Sequence, residues 1–141
     1  MQQTLSQSSI FTTSARSRNS YILVVDDEPS FCTVLSEILR SFGYSVRQAY
    51  NANHAFELLK KSLPDLILTD VMMPGMDGLT FIRQIRADPD RSSIPTIVIS
   101  AKAQAEDISA SKEAGADACL VKPFSARELR DVVHKYINST H

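Results

Sequence analysis

Four short apolar runs punctuate the chain, and between them apolar residues recur at helical spacing. Tyr21-Ile22-Leu23-Val24-Val25 is unbroken, the pattern of a strand covered on both faces of a sheet. Asp26-Asp27-Glu28-Pro29 follows, with Pro29 suited to the first turn of a helix. Phe31, Val34, Leu35, Ile38, Leu39 and Phe42 then share one helical face, and Gly43 marks its stop. Residues 45–49 predict a second strand, and residues 51–63 a second helix with Ala55, Leu58 and Leu59 inward. Residues 65–69 predict a third strand, with Asp70 just beyond its end. A third helix spans about 77–87 on Leu79, Ile82 and Ile85, and residues 95–99 predict a fourth strand closed by Ser100-Ala101-Lys102. The fourth helix, 104–114, is weakly apolar and ends at Gly115. Residues 118–121 predict a fifth strand, followed by Lys122-Pro123-Phe124. Ser125 and Glu128 have capping-box spacing for a last helix that carries Leu129, Val132, Val133, Tyr136 and Ile137.

Strands alternating with helices predict an α/β fold, a flavodoxin-like doubly wound five-stranded parallel sheet with five helices. In the order 2-1-3-4-5 for that topology, the first and third strands meet at the switch point, where functional groups collect at the carboxyl ends.

Composition narrows the classes. The chain has 141 residues, is 43% hydrophobic and carries a net charge of −1. That size suits one domain, and the charge gives no global attraction to nucleic acid or an anionic membrane. No apolar run approaches the ~20 residues of a membrane helix, and no secretory leader is evident. Cys32 and Cys119 lack metal-ligand or disulfide spacing, so they read as free thiols of a cytoplasmic protein. Residues 1–19 differ in kind. They are rich in Gln, Ser and Thr, include Arg16 and Arg18 and contain no acid. Such a segment cannot offset its ordering entropy and reads as a flexible polar tail. Residues 20–138 then form the folded domain and 139–141 its C-terminal end.

The chemistry gathers at the switch point. Asp26 and Asp27 follow the first strand, Asp70 the third, Ser100 the fourth and Lys122 the fifth. Three carboxylates in one crevice repel one another, and a hard divalent cation relieves this. Magnesium prefers such oxygen ligands, with manganese as a substitute. A carboxylate nucleophile, a magnesium ion, an ammonium and a hydroxyl make a phosphoryl-transfer constellation. Each group alone has a plainer reading: Asp26, Asp27 and Asp70 as helix caps, Lys122 and Ser100 as surface residues.

Together, Ile22-Leu23-Val24-Val25-Asp26-Asp27-Glu28, Asp70 with Met73-Pro74-Gly75-Met76-Asp77-Gly78, Ser100-Ala101 and Lys122-Pro123-Phe124 resemble a response-regulator receiver domain of the CheY-like type. The resemblance covers about residues 20–138. It implies that Asp70 accepts a phosphoryl group from a phosphohistidine of a sensor kinase or phosphotransfer protein. It further implies that Asp26, Asp27, Asp70 and the backbone carbonyl of Met72 hold magnesium, Asp27 more directly than Asp26. Lys122 would contact a phosphoryl oxygen, its bond to Pro123 cis, and Ser100 would be the switch hydroxyl. The signal would pass to a downstream protein through the face of helix 4, strand 5 and helix 5. Direct binding of nucleic acid or membrane is not expected, and a homodimer formed on phosphorylation stays open. The expected role is a phosphoacceptor that assists its own phosphorylation and dephosphorylation, not a turnover enzyme, either stand-alone or part of a larger regulator.

One departure stands out. Cys119 occupies the position where the family usually carries Tyr or Phe, three residues before Lys122. A thiol cannot swing a ring, so either coupling to the output face is reduced or the partner reads another surface. Three other functions stay in view. An aspartate-nucleophile phosphatase usually places a second Asp where Met72 stands, and a flavin-mononucleotide binder would need a Ser/Thr/Gly-rich loop in place of Asp26-Asp27-Glu28-Pro29. The third is a docking module that works without phosphorylation. His54, His134 and His141 read as solvent-exposed, the Met72-Met73-Met76 group as loop packing, and Arg127, Arg130 and Lys135 as a solvated or partner-docking face.

Overall fold

The computed structural model describes residues 20–71, 77–101 and 104–138. The tail expected over 1–19, the Met72 carbonyl, the methionine group, His141 and the C-terminal end lie outside the described residues. Ten elements alternate in order: β1 (Ile22–Val25), α1 (Pro29–Ser41), β2 (Val46–Ala49), α2 (Ala52–Lys61), β3 (Leu66–Asp70), α3 (Gly78–Ala87), β4 (Thr96–Ser100), α4 (Ala105–Ala114), β5 (Ala118–Val121) and α5 (Ala126–Asn138). The strands form one parallel sheet in the order β2-β1-β3-β4-β5, as the alternation predicts.

Both faces of the sheet are covered, so its central strands can be apolar on both sides. Ile22, Val24, Leu66, Leu68, Ile97 and Ile99 pack under α1 and α5, against Leu35, Leu39, Leu129 and Val133. Leu23, Val25 and Ile67 face α2 and α3, against Ala55, Leu59, Phe81 and Ile85. A smaller cluster of Ile82, Val98, Ala114 and Ala116 seats α3 and the end of α4.

Local chemistry sets the element ends. Asn51 accepts from the His54 N–H at 2.8 Å to start α2, and Asp77 accepts from the Thr80 N–H at 2.8 Å to start α3. Ser125 and Glu128 close the expected capping box at 3.0 Å in both directions. Gly43 and Gly115 follow α1 and α4 with φ of 99° and 116°, a region that favours glycine.

Four expectations change. Val34 is 53% exposed, because the apolar stripe on α1 is wider than the surface that covers it. Residue 63 lies outside α2, which stops at Lys61 and leaves Leu63 exposed. His54 is half-buried: its Nδ1 accepts from the Tyr50 N–H at 3.3 Å, and its ring centroid is 5.9 Å from that of Tyr50. Finally, β3 and β4 each reach one residue further than the apolar pattern suggests. Asp70 and Ser100 are ladder residues, in register with Ile99 and Val121.

Candidate functional site

The parallel register places the candidate residues together. Val25 at the end of β1 is level with Thr69 of β3, Asp70 with Ile99 of β4, and Ser100 with Val121 of β5. Asp26, Asp27, Asp70, Ser100 and Lys122 therefore line one carboxyl edge. Carboxylate oxygens of Asp26, Asp27 and Asp70 lie within 4.8 Å of one another.

The three acids differ in setting. Asp26 is 3% exposed, and its N–H extends the ladder to the Ala49 carbonyl at 3.0 Å. Its Oδ1 accepts from the Glu28 N–H at 2.9 Å, which turns the chain into α1. Its carbonyl accepts from the Cys32 thiol at 3.3 Å. Burial raises the Asp26 pKa most, and the charges of Asp70 and Asp27 add to the rise. The Glu28 N–H and the Lys122 ammonium oppose it. Asp27 is exposed at the mouth. Asp70 is half-buried, and its Oδ1 accepts from the Val71 N–H at 2.9 Å. The set fits a magnesium-like cation: all three donors are hard oxygens, and mutual repulsion already disfavours the charged form of Asp26.

The opposite wall comes from β4 and β5. Ser100 is 6% exposed, and its carbonyl accepts from the Lys122 N–H at 2.8 Å. The Lys122–Pro123 bond is cis, as the resemblance implies. The Lys122 Nζ lies 4.1 Å from the ring centroid of Phe31. Cys119 is half-buried beside Ile82 and Val98, and burial raises its thiol pKa, with Asp107 adding to the rise. Cys119 thus sits there as a small hydrophobe.

Two participants leave no specific signal in the chain. Phe31 falls on the apolar face of its helix by spacing, yet its ring meets the lysine. Gly78 lies against the end of β3: a Cβ there would stand 2.1 Å from the Asp70 carbonyl oxygen and 2.9 Å from the Val71 Cα. Its N–H donates to the Val71 carbonyl at 2.6 Å. The only signal was a glycine directly after a helix cap, which a turn would explain equally well.

Comparison with known proteins matches residues 22–134 to the model described as the response regulator receiver domain. The chain is 36% identical over 119 residues to sporulation initiation phosphotransferase F of Bacillus subtilis, across 84% of this chain and 94% of that protein. It is 38% identical over 108 residues to the DNA-binding response regulator MtrA of Mycolicibacterium smegmatis, across 77% of this chain but 46% of that longer protein. Among solved structures it resembles the receiver domain of a sensor histidine kinase from Pseudomonas aeruginosa, which has a magnesium ion coordinated in its active-site cleft. The TM-score is 0.77 at 32% identity, over 85% of this chain and 98% of that one.

Proposed function

The chain belongs to the response-regulator receiver family of two-component systems, and from that premise we propose that it is a phosphorylation-switched signalling module whose acceptor is Asp70. The observation that carries the proposal is the gathering of three carboxylates within 4.8 Å at the edge that also bears Ser100 and Lys122.

The step is a transfer from a phosphohistidine of a sensor kinase or phosphotransfer protein. An Asp70 carboxylate oxygen bonds to phosphorus as the phosphorus–nitrogen bond breaks, and the imidazole leaves with its electron pair. Asp26, Asp27 and Asp70 would hold magnesium, or manganese in its place, with the Met72 carbonyl as a further ligand. When bound, the ion neutralises charge on the transferring phosphoryl oxygens. Asp70 ends the β3 ladder, and the Val71 N–H orients its carboxylate at 2.9 Å. Lys122 supplies a compact positive charge to a phosphoryl oxygen, and the Ser100 hydroxyl a donor to another.

The product is an acyl phosphate on Asp70, which makes the protein a phosphoacceptor that promotes its own modification and its reversal. Capture of the phosphoryl group by Ser100 would draw in the end of β4 and the segment leading to α4. The signal would then reach a protein partner across α4, β5 and α5, or a second copy of the chain. Cys119 offers no ring to swing there, so the movement would be carried by the backbone after Ser100. We place the module in the cytoplasm; among the described residues, no helix is long and apolar enough to cross a membrane.

The test is cation-dependent labelling by phosphoramidate. Label should appear with magnesium, vanish on chelation and return with manganese. Label that forms equally well in chelator would refute the proposed site.

A further inference from the structure

The ammonium of the site lies over a side chain with no polar atom. Lys122 begins just after β5, and its long side chain has many rotamers in water. Its ammonium lies 4.1 Å from the centroid of the Phe31 ring, well inside the range of a cation–π contact. Its backbone stands at the carboxyl edge of the sheet, where the Lys122 N–H donates to the Ser100 carbonyl at 2.8 Å. Phe31 is itself anchored. It lies in the first turns of α1, three residues after the Glu28 N–H that Asp26 holds at 2.9 Å. It is half-buried and packs against the cluster beneath α1 and α5. The next residue, Cys32, is buried and donates to the Asp26 carbonyl at 3.3 Å. The turn of α1 that carries Phe31 is thus tied to Asp26 by two local contacts.

We propose that Phe31 is a positioning residue for phosphoryl transfer: its ring face fixes the Lys122 ammonium at the rim of the carboxylate trio. The inference rests on the phosphoacceptor reading above, but its first readout does not. A ring within this distance of an ammonium also shifts the protons of the adjacent methylene by its ring current.

Two measurements test it on the full chain. The first follows the Lys122 side-chain methylene by NMR in the protein without cation or phosphodonor. It should lie upfield of the exposed Lys60 in the wild type and in Phe31→Tyr, and lose that displacement in Phe31→Leu. A Lys122 methylene unshifted in the wild type overturns the inference. The second is the maximal rate of phosphoramidate labelling at saturating magnesium. Loss of a partly exposed cation–π contact predicts a fall of about two- to fivefold in Phe31→Leu, with recovery in Phe31→Tyr. In a Lys122→Ala background, Phe31→Leu should cause no further fall. Equal falls in both backgrounds would mean that Phe31 acts on the fold and not through the lysine, which overturns the inference. If the wild type does not label while the methylene shift is present, the phosphoacceptor reading fails and the placement of Lys122 by Phe31 stands.

Discussion

Gly78→Ala tests whether the end of β3 is held in place by the start of α3. The added Cβ would stand 2.1 Å from the Asp70 carbonyl oxygen, 2.9 Å from the Val71 Cα and 3.0 Å from the Asp70 carbonyl carbon. All three are backbone atoms, so no rotamer relieves the overlap. Even a close carbon–oxygen contact needs about 3.3 Å, which requires a relative movement of roughly 1 Å between α3 and the residue that carries the acceptor carboxylate. Overpacking of this kind costs about 3 kcal/mol at the upper end of its usual range, and for a domain of this size that lowers the melting temperature by on the order of 10 °C. A 1 Å misplacement of a reacting group costs about 100-fold in rate, so labelling of Asp70 should fall more steeply than stability. The assay pairs thermal unfolding, followed by circular dichroism, with the phosphoramidate labelling rate well below the melting point. Gly43→Ala is the control. Gly43 has a φ of 99° but nothing within 4 Å of an added Cβ, so its cost is backbone strain of about 1–2 kcal/mol with labelling intact. Gly78→Ala that melts and labels like the wild type would refute the reasoning.

Three further outcomes follow from the same geometry. Burial and the neighbouring acids raise the Asp26 pKa, so the folded state holds that proton more tightly than the unfolded chain, and this group's contribution to stability falls as pH rises from about 4 through the raised value. In chelator at neutral pH, Asp26→Asn should therefore melt a few degrees higher than the wild type, converge with it at acid pH, and lose the stabilisation that magnesium gives; an unchanged melting curve at neutral pH would refute this. Arg86 donates to the carbonyls of Gly115 (2.9 Å), Ser92 (3.0 Å) and Ile94 (2.8 Å) and to the Asp117 carboxylate (2.9 Å), which also accepts from the Thr96 N–H at 2.8 Å. Arg86→Leu should cost about 2–4 kcal/mol in chemical denaturation, and Arg86→Lys should recover little, because a point charge cannot fork to four acceptors. Burial pushes the Cys32 thiol up to about 11 and raises that of Cys119, so at neutral pH both should react with a disulfide reagent far more slowly than the unfolded chain does; fast reaction of the native protein would refute this.

Much of this architecture is legible in the chain because its signals are local or repeat with a strong period. The run from Tyr21 to Val25 and the capping pair Ser125 and Glu128 declare their elements directly, and the acids are visible because each follows an apolar run. What escapes is of two kinds. Contacts between residues distant in sequence leave no periodic trace: Arg86 and Asp117 meet only because α3 and the entry to β5 flank the same strand. Residues whose apparent role is generic hide a specific one. Phe31 reads as one more apolar position on α1, and only the fold shows that its ring faces an ammonium while Val34, on the same predicted stripe, faces solvent. Helix α4 was weakly patterned for a physical reason: its buried positions are Ser111 and Ala114, too small to mark a hydrophobic face.

The proposed function stands on Asp70 as the residue that accepts the phosphoryl group. The direct measurement is phosphoramidate labelling with magnesium of the wild type and of Asp70→Asn, with the modified residue mapped by mass spectrometry after trapping of the acyl phosphate. One label is expected on the wild type, at Asp70, and none on Asp70→Asn; equal labelling of the variant, at any aspartate, would overturn the assignment.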